Sequence, residues 1–190
     1  MNTLEIIAAL LGLANIVLLV RRSIWNYLFG LAMVALYAPI FFRGKLYSDA
    51  LLQLIFFVTQ LYGWWAWWRA GGVEHKVEVA RLTGPARIAW VVMVVLLSLV
   101  WGGMERAYTD AAFPWWDAAI SVPSVAALIL QARRCIENWI LWIAVDIASI
   151  PLYVLKELPW TAALYLAFLI LCVFGLREWS IAARDRGHAA

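Results

Sequence analysis

Asp146 lies about nine residues into the apolar run Asn138 to Leu155, so a helix through that run holds a carboxylate near its middle. At the centre of a bilayer an acidic side chain costs about 2.5 to 3.5 kcal/mol on insertion scales, which makes such a residue a candidate for contact with a ligand, a proton or a partner helix. Trp139, Trp142 and Asp146 stand at i, i+3 and i+7, along one helix face. Two indoles beside an acid suit a flat, electron-poor ring with positive charge, held by stacking and cation–π attraction. Trp139 also falls close to the expected membrane boundary, where tryptophan is enriched for interfacial reasons.

A second set of polar groups occupies the run near Leu46 to Trp68. Asp49, Gln53 and Gln60 follow helical spacing, and buried amides need partners, either a substrate's hydroxyls or a neighbouring helix. Trp64, Trp65, Trp67 and Trp68 close this run beside Arg69 and read as an aromatic belt. Asn26 and Asn138 each follow a basic pair and are placed to satisfy backbone groups where a helix begins. Catalytic machinery is not apparent: there is no GxSxG, HExxH or phosphate-binding glycine loop, and the two cysteines, Cys135 and Cys172, lack metal-like spacing. His75 and His188 lie in polar stretches and read as solvated. No enzyme activity, metal, cofactor or nucleic-acid partner is expected.

The elements that must position these residues are membrane helices. Of 190 residues, 66% are hydrophobic and 14% charged, too little polar surface for a soluble domain. Apolar runs near Leu4–Val20, Trp25–Phe42, Leu46–Trp68, Arg87–Gly102, Trp115–Gln131, Asn138–Leu155 and Trp160–Ile181 predict seven transmembrane helices. They lack the short alternating pattern of a β-barrel. The first run has no basic leader and reads as a helix, not a cleaved signal. Eleven of the fifteen Lys and Arg fall after spans one, three and five and in the tail, which predicts a cytoplasmic C-terminus and an outside N-terminus. The polar stretch Ala70 to Ala86 is then a cytoplasmic loop.

Sliding the chain by 112 residues, ungapped, superposes Arg21-Arg22 on Arg133-Arg134, Asn26 on Asn138, Pro39 on Pro151, Gly63 on Gly175 and Trp67 on Trp179. Such agreement predicts an internal duplication: residues 1–69 and 113–181 as three-helix repeats, 70–112 as loop and linker helix, and 182–190 as tail. The linker helix restores orientation, so the repeats are parallel, in the 3+1+3 arrangement of SWEET-type transporters, whose substrate sites lie at the repeat interface near the midplane. Transport is therefore the expected class. The repeat mates of Asp146 and Tyr165 are Val34 and Gln53, so a pseudo-symmetric frame carries different chemistry in each half. Pro39 and Pro151 predict paired kinks, as hinges or as fixed bends.

Lys45-Leu-Tyr-Ser-Asp-Ala-Leu-Leu-Gln53, Tyr62-Gly63-Trp64-Trp65-Ala66-Trp67 and Trp139-Ile-Leu-Trp142-Ile-Ala-Val-Asp146, with Tyr153, Lys156 and Gly175 to Trp179, resemble the nicotinamide riboside transporter (PnuC) family over nearly the whole chain. The resemblance implies a multi-pass bacterial inner-membrane transporter, a homotrimer working by facilitated diffusion. It also implies that Trp139 and Trp142 meet the ring of the ligand. Many relatives carry asparagine where this chain has Asp146, and the family also includes thiamine carriers, so thiamine is the alternative cargo.

Overall fold

The computed structural model describes residues 3–43 and 47–187, with side chains excluded for 3–5, 38–43, 47–51 and 185–187. Pro39 and Asp49 therefore lie outside the residues whose side chains are described, and His188 lies outside altogether. The described chain is seven helices: α1 Thr3–Val20, α2 Asn26–Arg43, α3 Tyr47–Arg69, α4 Gly84–Tyr108, α5 Pro114–Ala132, α6 Glu137–Leu155 and α7 Pro159–Gly187. Among the described residues, β pairing is limited to one isolated bridge, Ala80 with Cys135. Four helices, α4 to α7, are long and apolar enough to cross a membrane, and the described parts of α1 and α2 are apolar but shorter. Prolines in the first turn of α4 and α5 start those helices where an N–H would have no partner anyway.

Packing runs in two chains of neighbours. α1 packs on α2 and α2 on α3; α5 packs on α6 and α6 on α7; then α3 crosses to α5, and α1 to α7. Each group's first helix thus lies against the other group's third, along one seam. α4 packs on α5. Most of its residues face outward, including Ile88, Val91, Leu96 and Val100.

Positions 112 apart do matching structural work. α1 and α5 end in the same way: the second arginine of each basic pair takes a left-handed conformation, φ 57° at Arg22 and 62° at Arg134. The following N–H returns to the helix, Ser23 to Leu18 O and Cys135 to Leu130 O, both at 2.9 Å. This is the capping geometry that usually takes glycine. Asn26 and Asn138 then donate from Nδ2 to the carbonyls of Ser23 (2.7 Å) and Cys135 (2.6 Å), closing the turn as their positions predict. α3 ends in the same motif with Gly71 at φ 77°.

Candidate functional site

At the end of the bundle where α1, α3 and α5 terminate, four rings fill the seam. Tyr27 meets Trp67 edge-on (centroids 5.2 Å, 88°), and Trp139 meets Trp179 edge-on (5.5 Å, 87°). A Cβ on Gly63 would strike the Tyr27 ring, and one on Gly175 the Trp139 ring, so both glycines are seats for an aromatic. The halves also exchange indole hydrogen bonds: Trp67 Nε1 donates to Gln131 O at 3.1 Å and Trp179 Nε1 to Leu19 O at 3.2 Å. Trp67 is therefore wholly buried, unlike the exposed Trp65 and Trp68 beside it. Trp65 and Trp68 are exposed, as an aromatic belt requires, whereas the helical position of Trp67 turns it inward.

Trp139, fully buried, belongs to this cluster, and Trp142 packs half-buried against its edge. One turn deeper on α6 is Asp146, 3% exposed, beside Cys172 of α7. Its Oδ2 has no hydrogen-bond partner, and neither does Ser149 Oγ, one turn further along the same helix. Buried polar atoms are normally paired, so these two orphans mark a place where a guest's donors would be satisfied. Tyr165 stands near Asp146 and meets Tyr153 at a tilt (5.0 Å) and Phe168 edge-on (5.7 Å). A Cβ on Gly12 would meet Phe168 at 2.9 Å and Met33 at 3.4 Å. α1 of the first group, with Met33 of α2 beside it, therefore lies against this face of α7, near Tyr165 and Asp146.

The first group offers amides at the corresponding depth. Gln60 is 5% exposed and lies against Gly30, 112 positions before Trp142, where it leaves no room for a Cβ. Asn15, a residue that sequence reasoning missed, reaches the same glycine and donates from Nδ2 to Asn26 O at 2.7 Å. Its signal was available, since it is an amide in the apolar run of α1. Gln53 is half-buried on α3 two turns before Gln60. Pro151 is exposed inside α6, and α5 carries an internal proline of its own, Pro123. Two apolar grooves run along α4, and neither contains any of the site residues.

Both cysteines are buried free thiols, and His75 is exposed. Among the described residues no cluster of His, Cys, Asp or Glu is arranged to hold a metal. Glu137, at the start of α6, is 8% exposed and accepts from Leu82 N and Arg87 Nε, a role its place next to Asn138 did not reveal.

A family model described as nicotinamide mononucleotide transporter matches residues 2–181. The nicotinamide riboside transporter PnuC of Escherichia coli K12 is 30% identical over the whole chain and 90% of its own length. The riboflavin/roseoflavin transporter RibM of Streptomyces davaonensis is 28% identical over 95% of this chain and 85% of its own. A crystal structure of the vitamin B3 transporter PnuC superposes with a TM-score of 0.80 at 28% identity, covering 96% of this chain and 82% of that one. Apolar helices of membrane-spanning length, a polar pair of orphans buried in a seam, and similarity along the full chain converge: this multi-pass membrane protein belongs to the nicotinamide mononucleotide transporter family.

Proposed function

We propose that this chain carries nicotinamide riboside across the bacterial inner membrane by facilitated diffusion, with alternating access of a site in the seam between its halves. The observation that carries the reading is the α6 face on which Trp142 and Asp146, whose Oδ2 has no hydrogen-bond partner, lie one turn apart. The pyridinium ring stacks on Trp142, with Trp139 as the floor of the site. Asp146, Tyr165, Gln53 and Gln60, with Asp49 at the far end of α3, read the ribose hydroxyls. Matching work at positions 112 apart supports a 3+1+3 arrangement of parallel, SWEET-like repeats, residues 1–69 and 113–181, with 70–112 as loop and linker helix and 182–190 as tail. Pro39 and Pro151 serve as its hinges.

The N-terminus lies outside and the C-terminus in the cytoplasm, following the basic residues that cluster at the aromatic end. The assembly is a homotrimer. The nicotinamide riboside transporters among its relatives favour the riboside; thiamine is the alternative.

Calorimetry of the purified protein against nicotinamide riboside, nicotinamide mononucleotide, thiamine and riboflavin tests the reading. Selective riboside binding, weakened by Trp142→Ala and by Asp146→Asn, is expected. Thiamine or riboflavin binding without riboside binding would overturn the substrate and leave the seam site standing.

A further inference from the structure

The polar stretch after α3 is not a loose solvated loop. Between the exposed residues 73–76, 78 and 80–81, Val77 (1% exposed) and Val79 (4%) turn inward. Both join the aromatic cluster, which takes Leu19, Ile24, Tyr27 and Trp67 from one half and Ile136, Trp139, Cys172 and Trp179 from the other. This alternation in an extended segment puts two apolar side chains into the end of the seam and leaves Lys76 and Glu78 outside.

The segment spans the seam. At its start it is tied to the first half, where Gly72 N returns to Trp67 O at 2.9 Å and a Cβ on Gly72 would crowd Val77. Further along it is pinned to the α5–α6 turn of the second half. Ala80 N donates to Arg134 O (2.9 Å), and Ile136 N donates to Ala80 O (3.0 Å). Glu137 completes the pin, with both carboxylate oxygens 3.2 Å from Leu82 N and Oε1 2.9 Å from Arg87 Nε. These bonds are of a kind that can break and remake. The pin belongs to one half only, since the repeat mate of Glu137 is Trp25, 53% exposed.

We propose that residues 72–82 form a latch across the aromatic end of the seam, with Val77 and Val79 as its plug and Glu137 as the positioning residue that holds it. The inference rests on the transport reading above. Substrate leaving at this end has to part the two halves, and a strap fixed to α3 on one side and to the α5–α6 turn on the other resists that parting. The latch releases from its pin at Ala80 and Glu137, and the valines leave the cluster as the end opens. Arg87 opens α4, so the same carboxylate ties the linker helix to the start of α6. Motion of α6 and release of the latch are thereby coupled.

The native Cys135 provides the test. Paired strands lie about 4.8 Å apart, inside the roughly 4.4 to 6.8 Å that a disulfide bridges. Ala80 is the bridge partner of Cys135, so an Ala80→Cys variant can be cross-linked in the full-length protein, reconstituted in liposomes, with an added oxidant. Oxidised and reduced samples are compared for riboside binding and for riboside uptake. The expected result is uptake lowered at least about tenfold on oxidation with binding retained, as for a step gated by a closing segment. Reductant restores uptake, and oxidation has no effect when Cys135→Ser is added. Glu137→Gln, in a Cys135→Ser background, should speed labelling of a Val79→Cys thiol by an impermeant maleimide.

Full uptake by the cross-linked protein, failure of the two thiols to pair, or loss of binding along with uptake would each overturn the latch. If instead the reduced protein binds no riboside while it binds another vitamin, the substrate reading fails, and the same comparison is run with that vitamin.

Discussion

Gly175→Ala isolates the packing that closes the aromatic end. The added methyl group would fall on the ring of Trp139, which sits fully buried against Trp179. Overpacking of this kind costs about 1 to 3 kcal/mol, while alanine regains about 1 kcal/mol as the better helix former, for a net loss of up to about 2 kcal/mol. At roughly 2 to 4 °C per kcal/mol for a chain of this size, the apparent melting temperature falls by several degrees. In a Trp139→Leu background the obstruction is gone, and the same Gly175→Ala change becomes neutral or stabilising. The reversal of sign between backgrounds, read by thermal unfolding in one detergent, is the signature of direct contact. Gly63→Ala should repeat the pattern against Tyr27→Leu. An equal loss in both backgrounds, or none in either, would refute the seat-and-ring reasoning.

Other outcomes follow from single features. Arg134→Gly removes a side chain from a left-handed position and should raise stability by up to about 1 kcal/mol, whereas Arg134→Val should lower it; thermal unfolding separates the two. Gln131 Nε2 donates to Asn26 Oδ1 at 3.2 Å, while Asn138 Oδ1 has no partner because the mate of Gln131 is Leu19. Leu19→Gln should therefore be tolerated better than Leu19→Ala, with Gln131→Leu costing about 1 to 3 kcal/mol for the orphaned acceptor. Burial pushes the Cys135 thiol up, with Glu137 adding to the effect. A raised thiol holds less thiolate at neutral pH, so maleimide labelling of Cys135 should be slow there and accelerate as pH rises.

The positions of the helices were legible from the runs of apolar residues, because a span's length is set by the bilayer it must cross. The likeness of positions 112 apart was legible too, since Arg, Asn, Pro and Gly recur where turns and close approaches demand them. Side-chain direction was harder. Four tryptophans crowd the end of α3, and only their angle about the helix distinguishes Trp67, bonded across the seam, from Trp65, which faces outward with Arg69 over its ring at 5.1 Å. The match of Trp67 to Trp179 held that information. Val77 and Val79 were overlooked for a different reason: a two-residue alternation among charged neighbours is too short a pattern to mark a buried strand. For Asp146 the sequence suggested a costly burial, but its neighbour Cys172 and the orphaned Ser149 depend on how α6 and α7 meet.

The crossed indole bonds carry a consequence for how the protein is made. Leu19 waits for a donor 160 residues further along the chain, and Trp67 for an acceptor 64 residues further on. Synthesis delivers the helices in order, so α1 to α3 are inserted while the side of the seam they must cover has not yet been translated. Until α7 arrives, the Leu19 carbonyl, already bonded by the Arg22 N–H at 2.9 Å, lacks its second donor, and the face of α1 that α7 covers stays open. Of the described helices the seventh is thus the one that completes the first, and a chain stalled before Trp179 leaves α1 without its cover.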